Sequence, residues 1–203
     1  MARPSKFDRD EAVKAAMQEI WRSGYEVNSV KAISEKLGIS RSSYYNAFGT
    51  REDLFRKVLA AYFATSPDRA LRENPEGRSV RGLITSTFRK ACAARAADPE
   101  GRGCLAVNSL CELAGGSHGE LGEMLIGAIL ASAARFETLL GVAADQGEID
   151  GRADLHGKAL ALQSLLMGIN TLSKAVRDES DLWLAARTTL EALDLYETQS
   201  HDS

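Results

Sequence analysis

From residue 8 to residue 48 the apolar side chains recur every three or four positions, and glycines cut the run into short lengths. Val13, Ala16, Met17, Ile20 and Trp21 share one face of a helix over 8–23, and Gly24 supplies its C-terminal stop. Val30, Ile33 and Leu37 mark a second helix over 29–37, with Ser29 as N-cap and Gly38 at its end. Ser40 caps a third that runs to Phe48. Gly49-Thr50 closes it and opens a fourth over 51–64, with Asp53 at N3 standing in for the capping-box glutamate. Alternating β-branched residues are almost absent from the chain, and Ala, Leu, Glu and Arg dominate. The predicted fold class is all-α.

Beyond residue 66 the stretch SPDRALRENPEGRS holds two of the chain's four prolines and reads as a linker. Further helices are expected over 80–95, 105–114, 121–145, 153–176 and 181–196, separated by AADPEGRG, GGSHG, DQGEIDG and RDES. That gives about nine helices: a helix-turn-helix unit at 1–50, a connecting helix at 51–66 and a larger helical body at 67–203. A chain of 203 residues can bury a sizeable core, and it lacks a run of about 18 uninterrupted apolar residues, so no membrane helix is expected. The opening MARPSKFDRDEA lacks the apolar stretch of a secretory leader. Cys92, Cys104 and Cys111 form no CxxC pair, which fits a reducing cytoplasm. Residues 1–66 carry a net charge of +3 and the remainder −6. A basic front on an acidic body suits a nucleic-acid-reading module attached to something else.

The chemistry of that module lies in RSSYYNAF. Gly38 lets the chain leave the second helix through a left-handed conformation, Ile39 plugs the joint and Ser40 caps the third helix, the layout of a helix-turn-helix. Arg41 can pair with guanine, Asn46 with adenine and Ser42 with either, while Tyr45 and the helix N-terminus can hold phosphate oxygens. At helical period Tyr44 and Phe48 turn inward. The motifs AxxxxWxxGY, SVxxI, GISxxSxYxxF and GxxxxL occur here in succession, and residues 8–60 resemble the DNA-binding domain of the TetR family of bacterial transcription regulators. The resemblance implies that Tyr45 contacts phosphate and that Phe48 is a core aromatic. Arg51 takes the place of a usual lysine at the start of the fourth helix, where a phosphate contact is expected, and Ser34 that of an alanine. Lys6 and Arg3 would form a basic arm, and Ser29 and Ser40 join the DNA-facing set.

The same resemblance implies a homodimer on a near-palindromic double-stranded operator, a small-molecule effector, and regulation by repression or activation, with no cofactor. Residues 155–172 are apolar nearly all round and need cover on two sides. Leu162, Leu165, Leu166 and Ile169 there, with Trp183, Leu190 and Leu193 of the last helix, are the expected dimer interface. Phe88, Cys92, Cys104, Asn108, Leu125, Ile129 and Phe136 are the candidate effector pocket, mostly apolar with a few polar groups. Cys104 follows a glycine at a helix start, with Arg102 near, where a thiolate is favoured. Gly103-Cys104-Leu105 also resembles a subgroup that includes the N-ethylmaleimide-responsive repressor, in which this cysteine reacts with electrophiles. Cys111 is expected on the same helical face. The alternative is a small buried hydrophobe. Gly115 to Gly119 spell G-x-S-x-G around Ser117, but the flanks read as helices, so a loop is expected rather than a hydrolase nucleophile. His118, His156 and His201 are scattered and suggest no metal set.

Overall fold

Each of the first four helices starts on a side-chain cap. Asp8 accepts from Asp10 and Glu11 to open α1 (Arg9–Ser23), and Ser29 accepts from Ala32 to open α2 (Val30–Leu37). Ser40 accepts from Ser43 at α3 (Arg41–Phe48), and Thr50 from Asp53 at α4 (Arg51–Thr65). The Asp53 carboxylate returns the bond to the Thr50 N–H at 2.9 Å, which completes a capping box with aspartate. Those bonds hold its carboxyl below the usual aspartate range. This computed structural model describes residues 8–72, 75, 77, 79–115 and 119–198.

The expected linker begins as a 3-10 helix, Pro67–Arg72, with Leu71 buried. Then come α5 (Val80–Ala96), α6 (Leu105–Leu113), α7 (Gly119–Asp145), α8 (Leu155–Leu172) and α9 (Glu179–Ala192). No strand occurs among the described residues, and the all-α expectation holds. The last helix stops short of residue 196. Asp194 adopts a left-handed φ of 57°, and the Leu195 N–H returns to the Leu190 carbonyl at 2.8 Å, which turns Leu195 into the core.

Two apolar clusters organise the chain. The first joins Ile20, Ile33, Tyr44, Phe48 and Phe55 of α1 to α4 with Leu105 and Leu113 of α6 and Leu121 and Leu125 of α7. The second gathers Ile84, Phe88, Phe136, Leu139, Leu162 and Leu190 from α5 and α7 to α9. So α6 and the first turns of α7 pack with the N-terminal helices. An isolated helix of eight residues is unstable in water. Burial of Tyr44 and Phe48, about 2–3 kcal/mol for a large apolar side chain, is what holds α3.

Helix α7 amends one expectation. Its length and a mean hydropathy of 1.6 over its most apolar window would allow it to cross a membrane, although charged residues interrupt it. In the fold it packs against α6 and α8 and contributes to both clusters, while Leu130 stays 62% exposed.

Candidate nucleic-acid interface and ligand cavity

The turn between α2 and α3 is built from backbone bonds. Gly38 is left-handed (φ 66°, ψ 30°), and the Ile39 N–H reaches back to the Ser34 carbonyl at 3.0 Å. The Ser40 hydroxyl accepts from the Ser43 N–H at 3.1 Å and lies 2.8 Å from the Ser42 hydroxyl. From this turn α3 leaves with Tyr44 and Phe48 fully inside and with Arg41, Ser42, Tyr45 and Asn46 all exposed, Tyr45 by 54%. Ser29 and Ser40 are also exposed, but each hydroxyl is already engaged as a helix cap. Lys6 lies outside the described residues.

Arg51, expected at a phosphate, is engaged within the chain. Its half-buried guanidinium donates to the carbonyls of Tyr25, Glu26 (3.0 Å) and Asn28 (3.2 Å) and lies 3.9 Å from the centre of the Tyr25 ring. A planar fork can reach three carbonyls where the point charge of lysine would not, so the side chain locks the 25–28 turn. The same turn is gripped from the other side. Glu112 of α6 accepts from the N–H groups of Tyr25 and Glu26, both at 2.8 Å. Gly24, at φ 90°, lies against that carboxylate, and a Cβ there would stand 2.9 Å from it.

A cavity of about 500 Å³ opens between α4, the 3-10 turn, α6, α7 and α8. Of the expected lining residues, Cys104 and Ile129 are in its wall. Phe88, Cys92 and Phe136 instead pack in the second cluster, and Leu125 in the first. Asn108 belongs to a separate polar cleft beside Trp21, and its amide donates to the Arg102 carbonyl at 2.8 Å. These four apolar positions show the same helical periodicity as a cavity wall would, which is why spacing could not separate the two.

Cys104 sits at the α6 N-cap in extended backbone (φ −104°, ψ 125°), off the helical lattice. It is buried while Cys111 is exposed, so the two do not share a face. The Tyr62 hydroxyl donates to Cys104 Sγ at 3.2 Å and accepts from Arg95 Nη2 at 2.9 Å. Arg95 Nε donates to Asn170 Oδ1 at 2.6 Å. Arg95 is 4% exposed and meets no carboxylate among the described residues. Burial raises the Tyr62 hydroxyl above the ordinary tyrosine range and pushes the Cys92 thiol up to about 12.

On the outer helices, Leu162, Leu166, Ile169 and Leu190 are buried inside the chain's own core, and Leu165, Trp183 and Leu193 are half-buried. The apolar side chains left open on α8 and α9 are Leu160, Leu172 and Leu184. The middle of α8 is wedged between α7 and α9, so the cover it needed is largely intramolecular. Ser117 and His118 lie outside the described residues. The segments on either side, α6 and α7, are helical, and a nucleophile elbow requires a strand before it.

Residues 12–58 match the bacterial regulatory proteins of the tetR family, and residues 83–189, over half the chain, match the tetracyclin repressor-like C-terminal domain. The chain belongs to the TetR family. It is therefore a transcriptional regulator. It is 27% identical to the HTH-type transcriptional repressor ComR of Escherichia coli strain K12, over 93% of this chain and 90% of that protein. A cysteine mutant of the TetR family regulator CifR, complexed with 26-bp double-strand operator DNA, is 29% identical with a TM-score of 0.81. That match covers 94% of this chain and 99% of the other. E. coli NemR in its reduced form has the same TetR fold at 16% identity and a TM-score of 0.73, covering 90% and 95% of the two chains.

Sequence reading missed Tyr62, Arg95, Glu112, Gln163 and Asn170 of this TetR chain. A signal existed for two of them. Gln163 and Asn170 stand seven residues apart as the two polar side chains among the buried positions of α8, and buried polar side chains seldom occur without work to do.

Proposed function

We propose that this regulator is a homodimeric repressor that holds a near-palindromic double-stranded operator through α3 of each copy. A small molecule entering the cavity releases it. The observation that carries the reading is the outer face of α3, where Arg41, Ser42, Tyr45 and Asn46 are exposed together on a helix anchored by Tyr44 and Phe48. The operator complex of CifR and the repressor role of ComR support it. A two-fold dimer would present its α3 helices to half-sites about 34 Å apart. Leu160, Leu172 and Leu184 supply exposed apolar area for a second copy to cover. Residues 1–50 read DNA, 51–66 connect, and 67–203 bind effector and dimerise, in the cytoplasm on nucleoid DNA. Helix α6 links the two tasks. Cys104 and Val107 are in the cavity wall, and Glu112 near the other end grips the 25–26 turn. A ligand that favours another position of α6 shifts the population away from the DNA-competent arrangement.

Fluorescence anisotropy with the intergenic DNA beside its own gene tests this. Wild-type protein should bind a palindrome there with an affinity that falls steeply with salt. Tyr45→Phe should weaken all sequences alike, whereas Arg41→Ala and Asn46→Ala should each relax preference at one base pair, by about 1–3 kcal/mol. No binding to any palindrome, or the same effect from all three substitutions, refutes the assignment.

A second reading is favoured by the Tyr62 bond to Cys104. The sulfur accepts from the Tyr62 hydroxyl, which accepts in turn from the buried Arg95 guanidinium, and Cys104 is in the cavity wall where a small electrophile would enter. In this reading Cys104 reacts with electrophiles or oxidants, and the operator is then released. If Cys104→Ser leaves operator release by methylglyoxal and quinones unchanged, the thiol plays no part.

A further inference from the structure

A guanidinium keeps its charge wherever it is placed, and Arg95 is held inside the molecule without an opposite charge. It is 4% exposed, and its partners are two neutral acceptors, the Tyr62 hydroxyl at 2.9 Å and Asn170 Oδ1 at 2.6 Å. No carboxylate reaches it among the described residues, and burial keeps the Tyr62 hydroxyl protonated. An ion stripped of water and left without a counterion is costly, so the site favours an anion from outside. Tyr62 and Asn170 both line the cavity, with Cys104 beside them, so the guanidinium lies one side chain behind the wall. A guanidinium can only donate, so Asn170 turns its oxygen to Arg95 and its NH₂ away. That NH₂ makes no hydrogen bond among the described residues, although Asn170 is only 5% exposed. The start of α6 is in the same wall, at Cys104, Ala106 and Val107. Cys104 makes no capping bond, and the N–H groups of Leu105, Ala106 and Val107 meet no acceptor among the described residues. They carry the positive end of the helix dipole. The charged side chains of the wall itself are Asp68, Arg72 and Arg135. All three are engaged around the 3-10 turn: Ser66 donates to Asp68, Arg72 lies over the Phe63 ring, and Arg135 Nε donates to the Leu71 carbonyl.

We infer that the effector is an acid, with an apolar body and a carboxylate that sits against Tyr62, Asn170 and the start of α6 as the counterion of Arg95. This inference rests on the proposal that the cavity is the effector site. The Tyr62 hydroxyl, which donates to the weak sulfur acceptor of Cys104 at 3.2 Å, can turn its O–H to the stronger carboxylate. Two hydrogen bonds in series then put the anion about 5 Å from the guanidinium. The apolar body runs along Val107, Ile129, Leu166 and Met167.

Three probes of similar length test the charge: octanoate, its neutral methyl ester, and octylammonium. Isothermal titration of the full chain should show octanoate binding about tenfold more tightly than methyl octanoate, and octylammonium more weakly than both. Two variants, each checked for retained helicity, remove the need for an outside anion by opposite means. Asn170→Asp sets a carboxylate against Arg95 from within the chain, and Arg95→Met deletes the charge. Either should bring octanoate down to the affinity of the ester while binding of the ester is retained. Ala128→Phe, checked in the same way, should block the probes by filling the cavity. If octanoate and its ester bind wild type alike and Ala128→Phe blocks both, the acid is overturned and the cavity reading stands. If octanoate keeps its advantage in Asn170→Asp, its carboxylate is held elsewhere and the assignment to Arg95 is overturned. If no probe binds, or Ala128→Phe leaves binding intact, the cavity reading falls and takes the acid with it.

Discussion

Tyr62→Phe removes a single oxygen, yet that oxygen carries two bonds between buried side chains. Tyr62 and Arg95 are 3% and 4% exposed, and the hydroxyl accepts from Arg95 Nη2 at 2.9 Å while donating to Cys104 Sγ at 3.2 Å. Phenylalanine keeps the ring in place, including its edge-on contact with Trp21 at 5.1 Å between centroids, so no large cavity opens. The cost is therefore polar. A hydrogen bond to a charged group contributes about 1.5–3 kcal/mol when its loss strands a buried donor, and the bond to sulfur adds little. The expected destabilisation is about 2–3 kcal/mol, read in urea at fixed protein concentration as a midpoint about 1 M lower. Tyr45→Phe is the control. Its hydroxyl is on an exposed residue, and stability should stay within about 0.5 kcal/mol of wild type. If Tyr62→Phe also stays within that margin, Arg95 does not depend on Tyr62, and the chain Arg95–Tyr62–Cys104 is not a structural unit.

The Tyr44 hydroxyl is buried with no partner among the described residues, so Tyr44→Phe should be neutral or stabilising in the same urea assay, unlike Tyr62→Phe. Iodoacetamide at pH 8 and then intact-mass analysis should find Cys111 modified first. Cys92, whose thiol burial pushes up to about 12, should stay unmodified until the chain unfolds. Burial works to raise the Asp98 carboxyl, but the bonds from Arg102 outweigh it and hold it below the usual aspartate range. A carboxylate depressed in this way adds stability above its unfolded pKa, near about 4, and loses it as pH falls through the folded value. Urea midpoints should therefore decline below about pH 4, and more gently for Asp98→Asn. Leu160→Lys and Leu184→Lys should lower the association constant in sedimentation without changing helicity if those side chains are covered by a second copy.

The helix-turn-helix was legible because its determinants are local. Caps at Ser29, Ser40 and Thr50, the left-handed Gly38, and the inward Tyr44 and Phe48 all act within a few residues of one another. The hold of Arg51 on the 25–28 turn was not legible because its partners are carbonyls more than twenty residues away, which no local pattern records. The same limit applied to the body of the molecule. Leu162 and Leu190 were assigned to a partner surface because an all-round apolar helix signals that cover is needed but not which chain supplies it. The cavity residues Tyr62, Cys104 and Asn170 come together from α4, the start of α6 and α8, with Arg95 of α5 behind them. Each looks ordinary in its own helix.

The grip of Glu112 on the turn after α1 bears on how such a molecule could be re-engineered. A chimaera that grafts a foreign DNA-reading head onto this body at residue 66 would keep Glu112 but replace the two N–H groups it holds. The incoming head must bring its own pair of free amides to that carboxylate. It must also bring a residue without a side chain beside them, since a Cβ at position 24 would stand 2.9 Å from the carboxylate. The seam of this protein is thus a lock with its own key, and heads are interchangeable only within the set that fits it.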